Sequence, residues 1–330
     1  MLILAKSILG LALGFVLAIV VGLIIIPVLK QLKAGQNVSR LINKRHLKKE
    51  GTPTIGGLIF IIPPIIALSL PALRGSIDIS PNLIIVIFVF LSYALLGFID
   101  DFLKIKFHNN KGLSTMTKFV AQLLIAVVFY TIYKHNGGTT TLEITLINFK
   151  WDMGWFYGLF ILFLLVGTTN AVNITDGLDG LCGGLSVMAF LSYGVITWGS
   201  DWIAGYEGMA IFAFILVGSL LGFLLFNSHP ARVFMGDTGS LALGGALATI
   251  AILTHHELSL ALIGGVFVIE TLSSLIQIIS IRKFNKKVFL KAPIHHHFEE
   301  LGWSETDIVK IFWTMGFLLA MFGVIYGVWL

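Results

Sequence analysis

The chain has 330 residues, of which 57% are hydrophobic and only 12% charged, with a formal net charge of +5 and a mean hydropathy of +0.94. A soluble domain carries about 25% charged residues, so the composition excludes a water-soluble enzyme and predicts an all-α polytopic integral membrane protein. The single cysteine, Cys182, excludes a disulfide framework and a multi-cysteine zinc site, and the positive charge sits in particular loops, which excludes a nucleic-acid surface.

A helix needs about 20 mostly apolar residues to cross hydrocarbon. Ten runs qualify, at 3–29, 56–73, 82–99, 118–134, 154–171, 182–199, 207–226, 238–255, 259–280 and 307–328. The first is long enough to span and lacks a small-residue cleavage pattern, so a retained helix is expected there and not a cleaved signal. No linker or compositional shift divides the chain, which predicts one membrane-embedded domain over 1–330. No internal repeat is visible, which speaks against an inverted-repeat transporter.

Lys and Arg gather at 30–54, 101–118 and 281–310, with Arg232 between 227 and 237, whereas the alternate connections hold only Lys6, Arg74, Lys134 and Lys150. The positive-inside bias therefore predicts five cytoplasmic loops, at 30–54, 101–117, 172–181, 227–237 and 281–306. Ten spans then leave both termini outside. Between 139 and 153, Leu142, Ile144 and Leu146 alternate with Glu143 and Thr145. That period of two predicts a small β-hairpin on the outer face.

The chemically suggestive residues all fall in the basic-side loops. The first loop ends in Lys49 and then Gly51-Thr52-Pro53-Thr54-Ile55-Gly56-Gly57. Its glycines and the Thr54 hydroxyl suit close approach to a phosphate, with Lys49 as counter-charge. The third run ends in Asp100-Asp101-Phe102-Leu103-Lys104. Adjacent helical residues point about 100° apart, so the two acids are expected to play different parts, one orienting and one taking a proton. Lys104, one turn on, can pair with Asp100. Acids are out of place at a helix C-terminus, which argues against a purely structural role. Lys118 adds a further cation.

Asn173, Asp176 and Asp179 recur every three residues and share a face if that stretch is helical. Their loop has no Lys or Arg, and it suits a ribose, a base edge or a basic partner loop. In Asn227 to Ser240, Pro230 forbids a smooth helix, while Gly236 and Gly239 flank Asp237 at the mouth of the next run. Ionisable groups at the edge of hydrocarbon are costly and usually functional. This stretch is read as the centre of a metal and phosphate site, with Asp237 the main ligand of Mg²⁺, an ion that often takes one or two carboxylates plus substrate phosphates. His295, His296 and His297 are consecutive and cannot all ligate one ion from a regular helix; phosphate contact or loop bracing suits them better. A transporter would place such groups at mid-span, where Glu270 is the only clear acid.

These motifs together, with Pro293-Ile294-His295-His296-His297-Phe298-Glu299, resemble the polyprenyl-phosphate N-acetylhexosamine-1-phosphate transferases over nearly the whole chain. Ile55 is one small departure, at a position where Met is common in the family. The resemblance implies a Mg²⁺-dependent phosphoglycosyl transferase of the bacterial cytoplasmic membrane, usually a homodimer among membrane lipid. It implies transfer of phospho-MurNAc-pentapeptide from UDP-MurNAc-pentapeptide to undecaprenyl phosphate, with release of UMP, and competition by uridine-type antibiotics. Transfer of GlcNAc-1-phosphate from UDP-GlcNAc is the sister activity; the His295–His297 run argues for the muramoyl substrate.

Carried onto this chain, the resemblance makes Asp237 the metal ligand, with Asp176 a second candidate. Asp100 would deprotonate or orient the lipid phosphate, with Asp101 beside it and His296 in the catalytic set. Asn173, Asp176 and Asp179 would line the nucleotide cleft. Lys49, Thr54, Lys104, Lys118, Asn227, Phe234, Gly236, Ser240, Gln277, His295 and His297 would complete it, with Phe234 stacked on uracil. Direct attack by the lipid phosphate and a covalent aspartyl intermediate both remain open.

Overall fold

The computed structural model describes residues 2–32, 49, 51–73, 79–107, 112–144, 147, 149–200, 203 and 205–328. The basic residues expected at 33–48, together with Arg74, Lys111, Thr145 and Leu146, lie outside these. The described chain is helical apart from one small sheet. Its first helices are α1 (Leu2–Gln31), α2 (Leu58–Leu73), α3 (Pro81–Lys106) and α4 (Thr115–His135). Strands β1 (Thr141–Ile144) and β2 (Phe149–Asp152) follow, then α5 (Phe156–Thr175), α6 (Leu181–Trp198), α7 (Tyr206–Asn227) and α8 (Gly236–Leu253). The chain ends in α9 (Ser259–Ile263), α10 (Gly265–Phe284), α11 (Ile294–Glu300) and α12 (Glu305–Val328).

Among the described residues, nine helices are long and apolar enough to cross a membrane, one fewer than the ten expected. The missing one is α2, with 16 residues. Its expected first turn is used otherwise: Gly56 N–H donates to Phe234 O at 2.8 Å and Gly57 N–H to Met235 O at 2.9 Å. The helix therefore starts only at Leu58. The run at 259–280 is also not one helix, because it breaks at Gly264 between α9 and α10.

The sequence marks several helix starts. Ser80 precedes Pro81 and its hydroxyl accepts the Leu83 N–H at 3.2 Å; Ser114 does the same for Thr117 at 3.0 Å. Both hydroxyls satisfy donors that a helix start leaves open. The hairpin forms as expected, antiparallel, with Leu142 opposite Trp151 and Glu143 opposite Lys150. Each residue of β1 is half-buried and each residue of β2 is exposed.

Helices α7 and α8 form the buried centre. Each is 89% buried over its apolar window, against 17% for α4 at the periphery. Helix α1 packs on α7, while α3 and α5 pack on α8. Because α8 is central, its first turn lies where the ends of α3 and α5 meet it.

Candidate active site

The Asn227 to Ser240 stretch is held from below by its own polar groups. The Asn227 amide donates to Val233 O at 2.9 Å and accepts the Gly180 N–H at 3.1 Å. Phe234 N–H donates to Pro53 O at 2.8 Å. The first loop and the 227–237 loop are thereby stitched together, two motifs that lie far apart in sequence. Gly236 has φ +73°, and a Cβ there would fall 2.5 Å from Asp101 Oδ2 and 2.6 Å from Thr54 Oγ1. Only glycine fits this crossing, and α8 starts from it.

Asp237 then occupies the first turn of α8, where the helix dipole favours an acid. Its Oδ2 accepts from Lys118 Nζ at 2.5 Å and Lys104 Nζ at 3.1 Å, and its Oδ1 accepts from the Asn173 amide at 2.7 Å. Asn173 also donates to Ser240 Oγ at 2.8 Å. Asp100 Oδ2 lies 2.6 Å from Lys104 Nζ and 3.3 Å from Lys118 Nζ, and its Oδ1 accepts the Leu113 N–H at 2.8 Å. Asp101 turns the other way. Its Oδ2 accepts both the N–H and the hydroxyl of Thr238, at 2.9 and 2.7 Å. The two adjacent acids share Lys104, whose Nζ also lies 3.4 Å from Asp101 Oδ1, and differ in their other partners.

One carboxylate oxygen from each of Asp100, Asp101 and Asp237 lies within 4.8 Å of the other two. Three carboxylates outweigh the two ammoniums between them and leave the cluster negative. An all-oxygen donor set of this kind fits a hard divalent cation such as Mg²⁺.

The 173–181 segment does not present one face. Helix α5 stops at Thr175, so Asn173 points to Asp237 while Asp179 leaves in another direction. Asp179 Oδ1 accepts from Lys49 Nζ at 2.7 Å, and its Oδ2 lies 3.0 Å from both His229 Nδ1 and Ala231 N. Asp176 lies between the two clusters. Burial, with Asp237 and Asp101 nearby, pushes its carboxyl up to about 7. Burial alone would lower the Lys49 ammonium, but Glu305 and Asp179 outweigh it and hold Lys49 above the ordinary lysine value. Lys49 also lies 6.0 Å from the centroid of the Phe234 ring.

The three histidines on α11 go three ways. His295 is buried and its Nδ1 meets Glu270 Oε2 at 3.0 Å, which gives the buried Glu270 carboxylate a partner. The His295 ring also packs under the 175–180 turn, where a Cβ on Gly177 would fall 2.4 Å from Nε2. His296 Nδ1 meets Glu299 at 2.5 Å, and burial holds its imidazole below the usual histidine value. His297 Nδ1 accepts the Leu290 N–H at 3.1 Å. Gln277 stands apart from both clusters' contacts: its amide oxygen accepts from Val288 N and Phe289 N and its nitrogen donates to Phe289 O. It braces the loop ahead of α11.

Beside the acids lies a cavity of about 800 Å³ between α4, α5 and α10, with Lys118, Gln122, Phe160, Gly167 and Phe267 in its wall and Glu257 among its lining. Residues absent from the expected set are Thr238, His229, Glu270 and Glu305. Thr238 and His229 sit inside the stretch already singled out. Glu305 reads in sequence as an ordinary acid at the start of a helix.

Comparison with known proteins gives the following matches. The model of the family described as Glycosyl transferase family 4 matches residues 83–255. The phospho-N-acetylmuramoyl-pentapeptide-transferase of Bacillus subtilis is 47% identical over 317 residues, 96% of each chain. That of Geobacillus thermodenitrificans is 46% identical over 323 residues, 98% of each chain. That of Oceanobacillus iheyensis is 46% identical over 311 residues, 94% of each chain.

Proposed function

This chain belongs to the phospho-N-acetylmuramoyl-pentapeptide transferases, within glycosyl transferase family 4, and on that footing we propose how its residues carry the reaction. It is a bacterial membrane phosphoglycosyl transferase that makes lipid I in peptidoglycan synthesis. Its donor is UDP-MurNAc-pentapeptide and its acceptor undecaprenyl phosphate. One acceptor phosphate oxygen forms a bond to the sugar-linked phosphorus, the bond from that phosphorus to UMP breaks, and the electron pair leaves with UMP.

Asp237 would hold Mg²⁺, whose chemistry here is to neutralise diphosphate oxygens. Lys104 and Lys118, which bridge Asp100 and Asp237, supply further positive charge to the transferred phosphoryl group. Asp100 takes the acceptor's proton where one remains. A lipid phosphate is largely ionised near neutrality, so a carboxylate of modest basicity suffices. Asp101, tied to Thr238, fixes the start of α8 and so aims Asp237. Lys49, Asp176, Asp179 and Phe234 receive the nucleotide, and the apolar cavity takes the polyprenyl chain. The basic loops and the nucleotide substrate support a site on the cytoplasmic side.

One observation carries this reading: three carboxylates and two lysines, drawn from α3, α4 and α8, meet beside an apolar cavity that shares Lys118 with them. The test is UMP release with and without undecaprenyl phosphate. The parent protein should release UMP only with the acceptor, and Asp237→Asn and Asp100→Asn should each lose about a hundredfold or more in kcat. A sugar-phosphate trapped covalently on the protein without acceptor would overturn the direct route.

A further inference from the structure

Glu305 opens α12, yet it does not serve that helix. The helix start is capped by Ser304, whose hydroxyl accepts the Asp307 N–H at 3.2 Å. The Glu305 carboxylate turns away and joins three loops. Its Oε1 accepts from Lys49 Nζ at 2.6 Å and from the Asp179 N–H at 2.6 Å, and its Oε2 lies 3.5 Å from His229 Nδ1. Lys49, Asp179 and Glu305 close a triangle, because Lys49 also reaches Asp179 Oδ1. The three side chains are 15%, 2% and 13% exposed, so the triangle is largely shielded from water.

A lysine ammonium on its four-carbon stem is a mobile point charge. A second carboxylate, anchored on a different element, restricts it to one place. The same oxygen sets the backbone at Asp179, the other partner of that lysine. Glu305 thus fixes both members of the Lys49–Asp179 pair from outside the loops that carry them. We propose that Glu305 is a positioning residue for the nucleotide-sugar donor: it sets Lys49 and the Asp179 turn to receive the anionic donor and touches no reacting atom. This rests on the donor placement argued above.

Glu305→Gln keeps an acceptor for the Asp179 N–H and removes the charge that holds Lys49. The expected result is a rise of about tenfold in KM for UDP-MurNAc-pentapeptide, with kcat and the KM for undecaprenyl phosphate within about twofold of the parent. Glu305→Asp, which restores the charge on a shorter stem, should recover part of the loss. Because Glu305 acts through Lys49, the double variant Lys49→Ala/Glu305→Gln should be no worse in donor KM than Lys49→Ala alone. A purely structural role predicts the opposite pattern, in which both KM values and the thermal midpoint in detergent move together and the two substitutions add. That pattern, or an unchanged donor KM in Glu305→Gln, overturns the proposal while leaving the reaction intact. A parent protein that releases no UMP from UDP-MurNAc-pentapeptide and undecaprenyl phosphate overturns the reaction and this proposal with it.

Discussion

At the scale of single residues, the site is a problem of charge in a place that resists it. Asp100 and Asp101 are each 1% exposed, and they persist because each has partners: two lysines and a backbone N–H for one, Lys104 with the Thr238 N–H and hydroxyl for the other. Among these partners Lys104 was legible in the sequence, since it falls one turn after Asp100, whereas the Leu113 N–H and Thr238 reach the acids only through the fold. Glu305 was not legible either, because its partners lie 126 and 256 positions away and only the fold brings them together. Glu257 shows buried charge with a different outcome. It lies between α8 and α9, is 3% exposed and accepts the Tyr157 hydroxyl. Burial pushes its carboxyl from an ordinary 4.5 up to about 7. The folded protein therefore keeps a proton that the unfolded chain loses, so stability falls as pH rises from about 4.5 to 7 and is flat with respect to this group above that. The full effect is roughly 3 kcal/mol. Thermal midpoints in detergent should fall for the parent between about pH 5 and pH 7, and this decline should be shallower in Glu257→Gln. Equal slopes in both would rule out Glu257 as the source.

At the scale of elements, catalytic geometry depends on how closely α3 approaches α8. Gly97 sits one turn before Asp101, and a Cβ there would fall 2.0 Å from the backbone oxygen of Asp237. Small residues let membrane helices approach in this way. Gly97→Ala must push the start of α8 away from α3 and with it Asp237 from Asp100. Misplacement of about 1 Å at a catalytic group costs on the order of a hundredfold, and kcat should fall accordingly. A variant with parental kcat would show that the α3–α8 spacing is not what sets the site. Element ends were also where sequence reading was weakest. The regular period over Asn173, Asp176 and Asp179 suggested one face, but α5 ends at Thr175. The apolar run at 56–73 suggested a full span, but its glycines are committed to backbone bonds with Phe234 and Met235. Hydropathy registers neither a helix end nor a tertiary backbone bond.

At the scale of the whole molecule, hydropathy predicted a helical bundle and the loop motifs predicted convergence, but neither located the space between helices. That space depends on which side chains leave gaps, and the apolar faces of α4, α5 and α10 look alike in sequence. Helix α8 has 18 residues, and at 1.5 Å per residue it runs about 27 Å. The cavity includes Lys118, bonded to Asp237 in the first turn of α8, and Glu257, beyond its last turn. It therefore reaches from the acids toward the far end of the bundle, the shape a long polyprenyl chain needs when its phosphate lies at Lys118. Gly167 offers a clean way to test this. It lines the cavity, and a Cβ there would meet nothing within 4 Å. Gly167→Phe should fill the space without disturbing the packed side of α5, so the thermal midpoint should hold. The KM for undecaprenyl phosphate should rise about tenfold, while the KM for UDP-MurNAc-pentapeptide stays within about twofold. A short-chain prenyl phosphate that ends before Gly167 should escape the penalty, which separates a blocked tail from a damaged site. Should both acceptors be affected alike, the tail runs elsewhere, and the cavity is not the acceptor's path.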